Sequence, residues 1–195
     1  LINPIGNHIL REACKICSYW NQNGYPDYKV NVNLSVIQLL QSDIVEIVES
    51  AIHDSGISPC NLTLEVTESL AINDMDRMKG ILGRIKELGV RIALDDFGTG
   101  YSNFHYLYEL KPDIIKIDRS FTAKALSNEY DYNLLSLMSD MVHHLDLKLC
   151  VEGIETEEER IRLQQVGPDY SQGFFFGRPC PYKQFHDDFV AKCSA

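Results

Sequence analysis

The residues best able to do chemistry in this chain stand at the ends of short apolar stretches. In Arg91-Ile-Ala-Leu-Asp95-Asp96-Phe97-Gly98-Thr99-Gly100-Tyr101-Ser102, two adjacent carboxylates follow Val90, Ile92 and Leu94, and two glycines follow the carboxylates. An apolar strand that ends in paired acids and a glycine loop matches the C-terminal edge of a strand in a parallel α/β fold, where active sites gather. Neighbouring carboxylates repel each other unless a cation lies between them. The competing reading is an acidic surface turn. Five more stretches end the same way, in Asn33, in Glu65 and Glu68, in Lys116 and Asp118, in Glu152 and Glu155, and in Gln172. Oxygen donors of this kind suit Mg²⁺ or Mn²⁺ rather than zinc. Two such cations close together can activate a water and stabilise both oxygens of an in-line displacement at phosphorus. A lysine at the same place can neutralise phosphate charge or orient the water. Its bland alternative is a salt bridge to a neighbouring acid, and that of Asn33 is a strand-end cap.

Holding these residues together requires the elements between them to alternate. Periodicity predicts helices over Asn7–Trp20, Ile37–Ser55, Asp74–Leu88, Ala123–Leu145, Glu157–Val166 and Tyr182–Lys192, with Gly56 and Gly89 as stops. Strands are expected at Lys29–Ser35, Asn61–Glu68, Arg91–Asp96, Asp113–Asp118, Lys148–Glu155 and Tyr170–Phe176, the last as a buried strand hiding at least two of its three phenylalanines. Alternation of this kind gives a parallel sheet with helical crossovers. Because polar residues end every strand rather than cluster at one switch point, a closed barrel is favoured over a doubly wound sheet. A complete (β/α)8 barrel takes about 250 residues and eight strands. The expectation is therefore one domain over residues 1–195 with about six strands present and the N-terminal two missing.

Composition narrows the function. With 28 acidic and 18 basic side chains, the formal net charge of −10 argues against a general DNA or RNA binder. It leaves room for a small phosphorylated ligand, because bound cations reverse the local field. No apolar run reaches membrane-spanning length and no signal peptide is evident, so a cytoplasmic domain, or the cytoplasmic part of a membrane-bound parent, is expected, with no membrane contact of its own. Of six cysteines, only Cys14 and Cys17 form a CxxC pair, on one helix face and without a second pair, which reads as ordinary reduced cysteines. His143-His144 is expected to be surface or half-buried, with no acids at ligand spacing.

Taken in order, Val32-Asn33-Leu34-Ser35, Leu64-Glu65-Val66-Thr67-Glu68-Ser69, Asp95 to Ser102, Lys116-Ile117-Asp118-Arg119-Ser120, Val151-Glu152-Gly153-Ile154-Glu155-Thr156, Gln172-Gly173 and Gly177-Arg178-Pro179 resemble the EAL domain family across essentially the whole chain. The resemblance implies a TIM-like (β/α)8 barrel with one antiparallel first strand. It implies hydrolysis of cyclic di-GMP to pGpG in bacterial signalling, with a two-metal site of Mg²⁺ or Mn²⁺. It assigns Asn33, Glu65, Asp95 and Asp96 as metal ligands. Lys116 becomes the contact to the nucleophilic water, Glu152 a candidate general base or second-metal support, and Gln172 a neighbour of the water and metals. Glu68 fixes the loop after Asp96 and couples it to dimer contacts. Arg178, Asp118 and Glu155 fall on the substrate side. A homodimer is expected, with its contact at Phe104–Leu110, as are upstream sensory or GGDEF-type domains. The signature Glu-Ala-Leu is absent, in keeping with two missing strands. A cyclic di-GMP sensor without catalysis, or a regulatory interaction module, is the alternative.

Overall fold

The structure, a computed structural model, describes residues 2–67, 75–98 and 104–190. In chain order the elements are α1 (Ile2–Gln22), β1 (Val30–Asn33), α2 (Val36–Leu39), α3 (Ile44–Ser55), β2 (Leu62–Thr67), α4 (Met75–Glu87), β3 (Arg91–Phe97), α5 (Phe104–Leu110), β4 (Ile114–Ile117), α6 (Arg119–Ser127), α7 (Glu129–His144), β5 (Lys148–Val151), α8 (Glu157–Gln164), β6 (Tyr170–Ser171) and α9 (Tyr182–Phe185). The strands follow one another in chain order, from β1 to β6. The registers of β1 with β2, β3 with β4, β4 with β5, and β5 with β6 are all parallel. Strand, crossover and neighbouring strand is the arrangement that the alternation of apolar stretches predicts.

The chain forms two compact units. The first holds residues 1–65, 76–91 and 179–195, and the second residues 66–75 and 92–178. In the first unit, α1 presents Leu10, Cys14, Cys17 and Trp20 to the interior, and α3 presents Ile44, Val45, Val48 and Ala51. Both sets recur at three- and four-residue spacing, as one helical face requires. Asn61 secures the entry to β2, donating to Asn21 Oδ1 and to the Pro26 carbonyl, both at 3.0 Å. In the second unit, every residue of β4 is buried, as are Leu149 to Val151 of β5 and Leu135 and Val142 of α7.

Two helices expected to be continuous are broken. The stretch from Ile37 to Ser55 divides into α2 and α3, and α2 starts with a capping box between Ser35 and Gln38. The stretch from Ala123 to Leu145 divides at Asn128, whose extended backbone closes α6 while its side chain caps Asp131 N of α7. A short amide side chain that accepts from the helix N-terminus outcompetes helix continuation at that point.

The last strand is also shorter than expected. β6 has two residues, and Phe174, Phe175 and Phe176 lie in a turn, 43%, 38% and 43% exposed, instead of forming a buried strand. The backbone departs from strand pairing at Gly173, which lies directly against the backbone of Ile154. The side chain of Phe174 instead stacks under Arg178, whose guanidinium carbon lies 4.4 Å from the ring centre.

Asp169 ties the N-terminal end of β5 to α7. It accepts from Lys148 Nζ at 2.7 Å and from Leu149 N at 2.9 Å, and it contacts His143 Nε2 at 3.0 Å. His143 therefore has an acidic partner, 26 residues away, which local spacing does not reveal. Burial raises the Asp169 carboxyl, but these three hydrogen bonds outweigh it and hold its pKa at about 2. A carboxyl depressed on folding contributes stability above its unfolded pKa, and that stability is lost as pH falls through the folded value. Asp169→Asn should therefore remove about 2 kcal/mol at pH 7 and flatten the loss of stability between about pH 4 and pH 2. Urea unfolding across that range measures it. Parallel pH profiles for variant and parent would refute this account.

Candidate active site

The second unit brings three of the expected residues together. β3 ends in Asp95 and Asp96, β4 carries Lys116, and β5 runs out into Glu152. Lys116 is 3% exposed, and its Nζ lies 3.1 Å from Asp95 Oδ1 and 2.6 Å from Glu152 Oε1. An ammonium so fully desolvated needs both carboxylates. Strand pairing places it between them, and Glu152 N donates to the Ile117 carbonyl to extend the register past the end of β5.

Asp96 adopts φ 59°, in the left-handed region, and β3 shifts register against β4 between Leu94 and Phe97. Asp is among the few residues that tolerate this conformation, and strain of this kind is concentrated at functional sites. The conformation turns two successive carboxylates out of strict strand alternation. Burial, then Asp95, then Asp118 raise the Asp96 carboxyl above its ordinary range, against a smaller lowering by Lys116. Asp95 Oδ1 is a buried oxygen that accepts no hydrogen bond, even though the Lys116 ammonium is its ion-pair partner. An all-oxygen donor set with an unfilled buried acceptor and a surplus of negative charge fits a hard divalent cation. Among the described residues no three His, Cys, Asp or Glu side chains form a ready-made metal cage.

The first unit places Asn33, the last residue of β1, opposite Glu65 of β2. Glu65 is 5% exposed, whereas Asn33 is exposed. Sequence reasoning missed Asn31, which donates to Glu65 Oε1 at 2.8 Å and so orients that carboxylate. The signal was available, because Asn31 and Asn33 are two apart on a strand and therefore share a face.

The remaining candidates are more dispersed. Asp118 caps α6, accepting from Ser120 N at 2.8 Å and from the Ser120 hydroxyl. Glu155 is ion-paired with Arg119. Gln172 is exposed, and its backbone joins Val151 and Ile154. Arg178 packs on Phe174 as described. Glu68 lies outside the described residues, as do Thr99 to Ser102. Of the segment expected at a dimer contact, Leu107 and Leu110 are buried in the protein's own fold, and Tyr108 is 73% exposed.

The EAL domain family matches residues 1–179. The chain belongs to the EAL domain family. Its six parallel strands with intervening helices are accordingly those of the TIM-like EAL fold. The PaMucR phosphodiesterase, solved as a c-di-GMP complex, superposes with a TM-score of 0.89 at 38% identity, covering 95% of this chain and 75% of that one. The bifunctional diguanylate cyclase/cyclic di-GMP phosphodiesterase MucR of Pseudomonas aeruginosa is 39% identical over 94% of this chain and 27% of its own length. BlrP1 of Klebsiella pneumoniae, solved as a manganese/cy-diGMP complex, has a TM-score of 0.81 at 26% identity, covering 91% of this chain and 45% of that one. The chain thus spans about a quarter of the length of the curated relatives it matches.

Proposed function

We propose that this EAL domain is a metal-dependent phosphodiesterase that cleaves cyclic di-GMP to pGpG. The observation that carries this reading is the buried Asp95–Lys116–Glu152 array at the strand ends, beside the strained Asp96. A lysine at this position can orient the attacking water or neutralise charge on the phosphate, and Glu152 can take the proton as the water attacks phosphorus. The family resemblance makes Glu152, which pairs with Lys116 at 2.6 Å, the candidate base or a support for the second metal. Asp95 and Asp96, with Asn33 and Glu65, would hold Mg²⁺ or Mn²⁺. Those cations would supply charge neutralisation at the phosphate and a more acidic water. The cyclic di-GMP and manganese complexes of relatives support the choice of ligand and ion.

Gln172 belongs beside the water, and Arg178, Asp118 and Glu155 on the substrate side. Glu68 would fix the loop after Asp96. Whole-protein features are part of the same proposal: a cytoplasmic setting, a homodimer through Phe104–Leu110, and upstream sensory or GGDEF-type domains, for which relatives about four times as long leave room.

The test is cyclic di-GMP turnover with Mn²⁺ or Mg²⁺, by the 195-residue chain, by the protein extended upstream through a Glu-Ala-Leu strand, and by the extended Asp95→Asn variant. We expect little or no turnover by the short chain, turnover by the extended one, and loss of most of it on Asp95→Asn. Binding without turnover by the extended protein, under varied metal conditions, would establish the sensor reading instead. Equal rates for short and extended forms would show that the upstream glutamate is dispensable.

A further inference from the structure

We propose that Arg119 is a positioning residue for Glu152, acting as a clasp that fixes the loop after β5; its catalytic consequence rests on the phosphodiesterase reading above. Lys116 pairs with Glu152, and three residues further along both segments Arg119 pairs with Glu155. The same two stretches of chain are therefore tied twice, once inside and once at the surface. The inner tie is 3% and 16% exposed at its two side chains, and the outer one 61% and 41%.

Between the two ties lies Gly153, at φ 83°. A Cβ on Gly153 would come within 2.4 Å of Arg119 Cγ, 2.8 Å of its Cβ and 3.1 Å of its Cα. The stem of Arg119 thus lies directly on the residue that follows Glu152. Only a residue without a side chain leaves room for it, and the left-handed backbone is one that glycine adopts at no steric cost. The other side of the loop is also held. Ile154 N donates to the Gln172 carbonyl at 3.1 Å, and Phe175 N donates to the Ile154 carbonyl at 3.1 Å. Arg119 itself is anchored, since Asp118 N bonds to the Phe97 carbonyl at the end of β3 and the Asp118 side chain caps the helix Arg119 begins. Removing Arg119 would take away the support that the loop after Glu152 has at Gly153 and Glu155.

An ion pair this exposed adds little to global stability. The effect expected of Arg119 is therefore local order rather than the folding equilibrium, and that separates a positioning role from a structural one. A carboxylate acting on a water must be held to a fraction of an ångström, so small displacements carry large rate penalties.

The experiment is amide hydrogen exchange on the parent chain and on Arg119→Met, Arg119→Ala and Arg119→Lys, read at the amides of Glu152 and Ile154. Arg119→Met, which keeps the stem and loses the charge, should speed exchange there by about two- to fivefold, and Arg119→Ala by about tenfold. Arg119→Lys should restore most of the protection, and exchange in α3 and α7 should be unchanged in all three. Unchanged exchange at Glu152 and Ile154 in Arg119→Ala, or an equal rise across the whole chain, would overturn the proposal. In the turnover-competent extended protein, Arg119→Ala should lower kcat about tenfold or more with KM little changed. A raised KM with kcat intact would instead make Arg119 a substrate contact and overturn the positioning role. Should the parent show no turnover, the phosphodiesterase reading fails, while the exchange arm still decides whether Arg119 holds the loop.

Discussion

Lys116→Met should lower the stability of the folded chain by about 3–5 kcal/mol and lower turnover of the extended protein by two or more orders of magnitude. The substitution preserves most of the side-chain volume and removes the charge, so the loss reports electrostatics rather than a cavity. Without the ammonium, Asp95 and Glu152 face each other across a site that is largely closed to water. Two carboxylates so placed cannot both stay ionised, and one is forced up in pKa. That sets a sign that can be checked. A group whose folded pKa is raised above its unfolded value adds stability at low pH and loses it as pH rises. The deficit of Lys116→Met should therefore be smaller at pH 5 than at pH 8 in urea unfolding. Divalent cations should recover part of it, by taking over the neutralisation. Lys116→Arg, with the charge kept on a bulkier planar group, should be less destabilised yet still catalytically poor. A methionine variant that unfolds at the parent's urea midpoint at both pH values would show that the buried pair is not what holds these strand ends together.

Gly173→Ala should cost about 3 kcal/mol or more, or prevent soluble expression. The obstacle is not backbone strain, since Gly173 has no positive φ. An added Cβ would stand 2.0 Å from the Ile154 carbonyl oxygen, 2.4 Å from its nitrogen and 2.6 Å from its carbonyl carbon. Backbone atoms cannot swing aside as a side chain can, and these take part in the bonds that join Ile154 to Gln172 and Phe175. Two internal controls have the opposite sign. Gly80 and Gly83 lie within α4, and a Cβ on either meets nothing within 4 Å. Gly80→Ala and Gly83→Ala should therefore each stabilise by about 0.5–1 kcal/mol. Comparing the three alanine variants by urea unfolding tests the close approach directly. A Gly173→Ala protein as stable as the parent would mean that β6 and the loop after β5 do not meet as closely as described.

What could be read from the chain depended on whether the signal was local. The apolar runs of β3, β4 and β5 lead straight into Asp95, Lys116 and Glu152, so strand identity and site residues appear together in one short window. Gly56 and Gly89 mark stops for the same reason. The division at Asn128 is local as well, but it competes with good helix formers on both sides. A cap that serves two helices is easily read as an ordinary polar residue within one. The three phenylalanines were misjudged because hydrophobicity alone does not tell how far a strand continues. That was set by Gly173 meeting Ile154, a contact between residues nineteen positions apart. Pairs such as Arg119 with Glu155 and His143 with Asp169 are invisible to any pattern of period two or 3.6, because the fold alone brings their partners together. Asn31 lay between the two, since its face could be inferred but its acceptor, Glu65, could not.

The buried cysteines give the molecule a built-in clock. Cys14 and Cys17 lie inside the first unit at 0% exposure, and Cys150 inside the second at 6%. Burial, above all other causes, pushes the Cys14 and Cys17 thiols up to about 11, so at neutral pH almost none of either is the reactive thiolate. A thiol reagent added to the native protein must therefore wait for the surrounding structure to open. Its rate of capture at Cys14 and Cys17 times the opening of α1, and its rate at Cys150 times the opening around β5. Exposed Cys60 supplies the unhindered reference in the same tube. With no residue changed, the chain can report whether the surroundings of α1 and of β5 open in one event or in two.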